Sequence, residues 1–258
     1  MDKSENKSEK NGGYSETCTF GQPLKIISLM ETDSTNNYAK RLIEEGKISD
    51  HAVIIAKSQS AGRGRSGKLF LSPSGGLYMT VVMETELPPS CFISVTSCAA
   101  AAVHRAVLQV SGADCGIKWI NDLYLRGKKL SGILVESIIR GGRTYVVVGI
   151  GVNIGHIALP ITINGISLED CGYKADVMEL CTVIAENILA VRDDGFDFGK
   201  YVDYYRAHSI VTGQRIAFIR NGSAEYGIAG EVDCHGRLPV DCGGEIKLLD
   251  SGEISVRF

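Results

Sequence analysis

The most constraining feature of this chain is a series of apolar segments between residues 116 and 154 with no helix between them. Leu123 to Leu125 and Lys129 to Ser137 read as a hairpin around Arg126-Gly127-Lys128, and Thr144 to Ile154 follows the Gly141-Gly142 turn as a further strand. Parallel neighbours need a crossover of a dozen or more residues, so successive hairpins force an antiparallel or mixed sheet. The chain is therefore expected to be α+β, with a mixed or antiparallel sheet flanked by helices, rather than doubly wound. Leu24 to Leu29, His51 to Lys57 and Leu77 to Met83 supply further strands. Helical spacing places Tyr38, Ala39, Leu42 and Ile43 on one helix, and Cys91 to Ser111, Ala175 to Val191 and Phe198 to His208 on three more.

After Gly213 the texture changes. Arg215 to Arg220, Glu225 to Val232, Arg237 to Val240, Glu245 to Leu249 and Glu253 to Phe258 are short β-rich pieces. They are separated by Asn221-Gly222, His235-Gly236, Gly243-Gly244 and Ser251-Gly252. Five short strands at this spacing indicate a small C-terminal β-barrel over residues 213–258. Residues 24–212 form the main domain, and residues 1–23, polar and without apolar period, read as a disordered tail.

Between two of the strands lies Ser58-Gln59-Ser60-Ala61-Gly62-Arg63-Gly64-Arg65-Ser66-Gly67-Lys68. Its glycines let backbone approach a ligand, and its three cations call for an anion, phosphate being the one that the Arg fork matches best. A net charge of −3 over 258 residues makes the loop a local feature of a mildly acidic chain. Strong nonspecific affinity for DNA or an anionic membrane is therefore not expected, and a small anionic ligand is favoured. From the loop alone, a ligand cradle and a solvated basic surface loop remain equally open.

Other stretches are individually ambiguous. Asp33 or Ser34 can cap the first helix, and Ser34, Thr35 and Asn36 equally offer a hydrogen-bonding surface at its start. Lys118 alternates with Ile117 and Trp119, so its ammonium faces away from them, toward either a cleft or solvent. Asn121 and Asp122 are turn residues or, for Asp122 above all, a candidate Mg2+ contact on a nucleotide. Gly149-Ile150-Gly151-Val152-Asn153 lacks the third glycine of a dinucleotide fingerprint, so its glycines are read as letting a ligand lie flat on the sheet. The eight cysteines contain no C-x-x-C pair and, with no signal peptide, read as reduced thiols in a cytoplasmic protein. Ile93 to Val110 carries His104, Arg105 and Gln109 and reads as a buried helix, not a membrane span.

The order of these motifs resembles the biotin protein ligase family. The carriers are Asp33-Ser34-Thr35-Asn36, Gln59-Ser60-Ala61-Gly62-Arg63-Gly64-Arg65, Lys118-Trp119-Ile120-Asn121-Asp122, Lys129-Leu130-Ser131-Gly132-Ile133-Leu134-Val135-Glu136, Gly149 to Asn153 and the closing Gly252 to Arg257. The resemblance implies a class II synthetase-like catalytic domain with an SH3-like barrel, and a two-step reaction. Biotin and ATP would give biotinyl-5′-AMP and pyrophosphate, and a lysine of a biotin carboxyl carrier domain would then attack the anhydride. It also implies biotin contacts at Ser34, Thr35, Asn36, Gln59, Arg63, Gly64, Arg65 and Lys118, over a floor of Gly132, Gly149 and Gly151. Arg63, Arg65, Lys68, Phe70, Asn121 and Asn153 would hold ATP or the adenylate, with Asn153 at the adenine. Arg63, Arg65 and Lys118, with Mg2+ on the phosphates, would carry the catalysis.

The sequence departs from the family at Ile120, where it has proline, and at Lys68-Leu69-Phe70, where it has Arg-Lys-Trp. With no helix-turn-helix pattern before Leu24, a stand-alone ligase that binds neither DNA nor membrane is expected, able to pair as a homodimer through its sheet. The alternatives are a lipoate–protein ligase of the same fold and a biotin-binding regulator without catalysis.

Overall fold

The computed structural model describes residues 13–19, 22–48, 50–88, 91–157, 159–160, 162–220, 223–252 and 254–256. Eight strands form the main sheet: β1 Gly13–Thr19, β2 Gln22–Thr32, β3 Ala52–Gln59, β4 Gly76–Thr85, β5 Gly116–Lys118, β6 Asp122–Leu125, β7 Lys128–Arg140 and β8 Arg143–Asn153. Their order is β1-β2-β3-β4-β8-β7-β6-β5. Among these described strands only β2 and β3 pair with each other in parallel, joined over the helix α1, Thr35–Glu44, so the sheet is mixed as expected.

The hairpin turns behave as the glycines require. Leu125 pairs with Lys128 across Arg126 and Gly127, whose φ angles are 50° and 73°. Arg140 pairs with Arg143 across Gly141 and Gly142, at 58° and 77°. Two consecutive positive φ values match the right-handed twist of the flanking strands.

Part of the stretch expected to be a polar tail is strand. β1 pairs along its whole length with β2, from Gly13 opposite Ser28 to Thr19 opposite Gln22. Ladder hydrogen bonds are main-chain, so an edge strand can form without an apolar alternation, which is the signal that composition tests. Residues 1–12, 20 and 21 lie outside the described residues.

The sheet is covered on both faces, and the pleat divides its side chains. Leu77, Met79, Val81 and Met83 of β4 and Val146, Val148, Ile150 and Val152 of β8 share one apolar cluster with α2, Phe92–Ser111, and α3, Val177–Asp193. Val82 of β4, Tyr145 and Val147 of β8, and Ile54 and Ala56 of β3 pack on the other face against Tyr38, Ala39, Leu42 and Ile43 of α1. Asp176 caps α3 by accepting from the N–H groups of Met178 and Glu179, each at 2.9 Å. The α2 helix is long and apolar enough to cross a membrane, but it is mostly buried between sheet and α3, as the reading of Ile93 to Val110 requires.

The expected helix over Phe198 to His208 is two pieces: a 3-10 turn at Phe198–Lys200 and the helix α4, Val202–Ala207. Asp197 accepts from the Gly199 N–H at 2.9 Å and holds the tighter turn. Beyond it, β9 Arg215–Arg220, β10 Ser223–Ala229, β11 Leu238–Asp241, β12 Ile246–Leu249 and β13 Ile254–Val256 form a five-stranded antiparallel sheet in the order β12-β11-β10-β9-β13. The Asn221-Gly222 turn falls outside the described residues. The inner side chains Ile216, Phe218, Leu238, Val240 and Ile254 join the same cluster as α2 and α3. Trp119 Nε1 donates to the Gly236 carbonyl at 2.9 Å and Arg206 Nε to that of Val232 at 2.8 Å, fixing this sheet beside the main one.

Candidate active site

The α1 face of the main sheet changes character along its strands. Next to α1 it presents Val82 and Val147, then the row Thr80–Gly149–Leu134, then Tyr78–Gly151–Gly132. The glycines of the last two rows line a cleft of about 350 Å3. Its walls are the start of α1, the basic loop after β3, the end of β5 and, from the second sheet, Gly252, Ile254 and Ser255.

Ser34, Thr35, Asn36, Gln59, Arg63, Gly64, Arg65, Lys68, Phe70, Lys118, Asn121, Asp122, Gly132, Gly149 and Gly151 all line this cleft, so the separate motifs do converge. Asn153 does not. Its Nδ2 donates to the Ile166 carbonyl at 3.0 Å, which ties the side chain to the segment after β8.

At the start of α1, Ser34 occupies the N-cap position with extended φ and ψ, but its hydroxyl makes no capping hydrogen bond. Asp33, the alternative cap, instead accepts from Arg41 at 3.0 and 3.1 Å and from Asn37 Nδ2 at 2.9 Å. Partial burial pushes the Asp33 carboxyl up, but those donors outweigh it and hold the pKa well below the carboxylate range. Gln59 ties the helix start to the loop. Its Oε1 accepts from the Thr35 N–H at 2.8 Å, and its Nε2 donates to Ser72 Oγ at 2.7 Å. Ser72 in turn donates to the Phe70 carbonyl at 2.9 Å.

The basic loop is a compact hairpin. Phe70 N–H donates to the Gly62 carbonyl at 2.9 Å and Gly64 N–H to that of Lys68 at 2.7 Å, around a 3-10 turn at Arg65–Gly67. Arg65 donates to Asn121 Oδ1 at 2.9 Å and to the Gly252 carbonyl at 2.7 Å, bridging both sheets. Arg63 turns toward α1, donating to Asn37 Oδ1 at 3.0 Å with Glu136 at 3.5 Å. Lys118 Nζ lies 3.5 Å from Tyr124 Oη and 5.1 Å from its ring centre. Three cations thus line the cleft, Arg63 beside the start of α1 and Arg65 and Lys118 beside Asn121 and Tyr124.

Gly149 has a second role besides lining the cleft: a side chain there would overlap the Asn36 amide, so this glycine makes room for Asn36. Phe70, standing where the family has tryptophan, lies with its ring over Gly151 and Gly132, edge-on to Tyr78 at 6.4 Å. Asp122 does not fit a protein-held Mg2+. Its carboxylate sits 2.7 Å from Lys129 Nζ and is already neutralised. Asn121 is committed as well, donating to the Ile133 carbonyl at 2.6 Å while accepting from Arg65. Ile120 is buried, and the peptide before it is cis.

Sequence reasoning passed over Thr80, Ser72, Lys129, Tyr124 and Glu136. Thr80 is buried and hydrogen-bonded to Thr35 Oγ1 and Asn36 Oδ1 at 2.8 and 2.7 Å. Glu136 accepts from Asn36 Nδ2 at 2.9 Å and from Lys40 at 2.7 Å. Burial pushes the Glu136 carboxyl up, but the hydrogen bonds from Lys40 and Asn36 and the charges of Lys40 and Arg63 more than offset this and lower its pKa. Glu136 closes the Lys129-to-Glu136 motif, so a signal existed; Thr80 had none.

Residues 29–153 match the model of the Biotin/lipoate A/B protein ligase family. The chain is 31% identical over 226 residues to the biotin–[acetyl-CoA-carboxylase] ligase of Paracoccus denitrificans, covering 81% of this chain and 91% of that one. It is 32% identical over 240 residues to the bifunctional ligase/repressor BirA of Escherichia coli, covering 90% of this chain and 74% of that one. This chain belongs to the biotin protein ligase family. Among solved structures, the biotin protein ligase of Aquifex aeolicus in complex with biotin and ATP superposes with a TM-score of 0.72 at 26% identity, over 90% of this chain and 98% of that one. The family's catalytic sheet and C-terminal strand-rich unit are thus both present.

Proposed function

We propose that the protein is a biotin protein ligase, which joins biotin to ATP as biotinyl-5′-AMP and transfers the biotinyl group to a lysine of a biotin carboxyl carrier domain. One observation carries the reading: a single cleft unites a wall of neutral hydrogen-bonding groups, Ser34 to Asn36 and Gln59, with a wall of cations, Arg63, Arg65 and Lys118. The first wall suits an uncharged ureido ring. The second suits two anions that must meet.

In the first step a carboxylate oxygen of biotin attacks the α-phosphorus of ATP and pyrophosphate leaves. Lys118 and the two arginines screen the approach of the anions and the charge on the phosphoryl oxygens. Mg2+ enters with the ATP phosphates, and no side chain is assigned to hold it. In the second step a neutral lysine amine of the acceptor attacks the acyl carbon and AMP leaves. The basic hairpin, fastened by Arg65 to Asn121 and Gly252, keeps water from the anhydride between the steps. The chain's own residues act by binding, orientation and electrostatics, with no covalent protein intermediate.

Incubating the protein with labelled biotin or lipoate, ATP, Mg2+ and a carrier domain tests the reading. Transfer of biotin with release of pyrophosphate is expected. Transfer of lipoate alone would assign the protein to the sister activity, and binding of biotin without pyrophosphate release would make it a binding protein.

A further inference from the structure

The protons in the neutral wall can be placed one by one, starting from Glu136. Its carboxylate can only accept, and it receives Asn36 Nδ2 at 2.9 Å while the Leu134 carbonyl lies 3.4 Å from the same nitrogen. Asn36 therefore cannot be flipped, and its Oδ1 must face Thr80 at 2.7 Å. An amide oxygen has no proton, so the Thr80 hydroxyl donates to it. Thr80 Oγ1 also lies 2.8 Å from Thr35 Oγ1, and with its own proton spent it must accept there, so Thr35 supplies the proton. The Thr35 hydroxyl lies farther, at 3.2 Å, from Gln59 Oε1, which the Thr35 N–H already serves at 2.8 Å. All of Thr35, Thr80 and Asn36 are buried.

We propose that Glu136 is a positioning residue which, through Asn36 and Thr80, draws the Thr35 proton inward and so fixes Thr35 Oγ1 as a hydrogen-bond acceptor toward the ligand. The neutral wall then selects for an N–H at that point of the ligand ring. Gln59, with one amide proton given to Ser72, has its second amide proton to offer, which suits the ring carbonyl. Lys40 at 2.7 Å keeps Glu136 ionised, so the chain of donors has one direction only. A group that cannot donate at this position would leave two acceptors facing each other. The inference rests on the reading of this wall as the site of the biotin ring.

Calorimetry with biotin and with its two cyclic-carbamate analogues, each with one ring N–H replaced by oxygen, tests it. The wild type is expected to reject one of the two analogues strongly. In Glu136→Gln, which lets Asn36 turn over, the biotin-to-carbamate ratio is expected to shrink about tenfold. Thr80→Val, which cuts the chain without touching Glu136, Lys40 or Arg63, is expected to shrink it similarly. Thermal unfolding serves as the check on folding in both, and ATP binding should be unchanged in Thr80→Val, which leaves Arg63 paired with Glu136. Two folded variants that keep the wild-type ratio would overturn the assignment. A wild type that binds biotin and both carbamates equally would overturn it too. If the wild type binds neither biotin nor the analogues, the functional reading itself falls, and the inference with it.

Discussion

Arg65 and Asn121 are joined across the mouth of the cleft by a hydrogen bond of 2.9 Å, and the second guanidinium nitrogen of Arg65 reaches the Gly252 carbonyl at 2.7 Å. The one side chain thus links the basic hairpin to the main sheet and to the C-terminal sheet. Arg65→Ala removes both fastenings together. The variant is expected to form biotinyl-5′-AMP but to release it, so that most of the intermediate passes a filter that retains protein. Retention equal to that of the wild type would show that the hairpin closes without Arg65.

Lys118 ends β5 and lines the cleft beside Tyr124. A point charge there gains most when negative charge builds on the transferring phosphoryl group, and less when biotin alone is bound. Lys118→Ala is therefore expected to lower kcat for adenylate formation by about 10²-fold or more, with the Kd for biotin changed only a few-fold. Biotin-dependent pyrophosphate exchange and calorimetry separate the two effects. Losses of equal size would reduce Lys118 to a binding contact.

The local patterns of this chain were readable because they depend on neighbours in sequence. The glycine turns after β6 and β7, the apolar spacing of Tyr38, Leu42 and Ile43 and the cation-rich loop each carry their own physical reason. Their convergence on one cleft was legible through the order of the motifs. What stayed hidden depends on register between distant strands. Thr80 reaches Asn36 because β4 pairs with β8 at Gly149, a contact 44 residues apart in sequence, and Glu136 reaches it across 100 residues. For the same reason the packing of Gly149 against the Asn36 amide and the bond from Asn153 to the Ile166 carbonyl left no mark in the sequence. The strand β1 was missed because main-chain pairing leaves no mark on composition.

Asp33 adds a pH dependence. Its native pKa lies below that of the unfolded chain because Arg41 and Asn37 stabilise the ionised form more than partial burial penalises it. The stabilising contribution is thus complete above the unfolded value of about 4, and is lost progressively as pH falls below that. Urea unfolding of the wild type and Asp33→Asn between about pH 2.5 and 6 reads the difference. It is expected to be constant above about pH 5 and to shrink below about pH 4. A difference independent of pH would mean that the Asp33–Arg41 pair contributes nothing to the fold.

Gly149 is where packing and binding are most tightly tied. A methyl group there would overlap the Asn36 amide. A flexible neighbour could give way cheaply, but Asn36 is held by Glu136, by Thr80 and by its place in the first turn of α1. Gly149→Ala should therefore displace the start of α1 as a unit, at a cost of about 1–3 kcal/mol. That corresponds to a Tm lowered by about 2–4 °C per kcal/mol. Because Thr35 and Asn36 move together, biotin affinity should fall with the Tm, whereas ATP affinity, which depends on the cationic wall, should be nearly unchanged. Gly112→Ala supplies the contrast: nothing lies within 4 Å of the added carbon, but φ is +73°, so it should lower stability and leave biotin binding intact. If Gly149→Ala bound biotin like the wild type despite a lower Tm, the start of α1 would not be part of the biotin site.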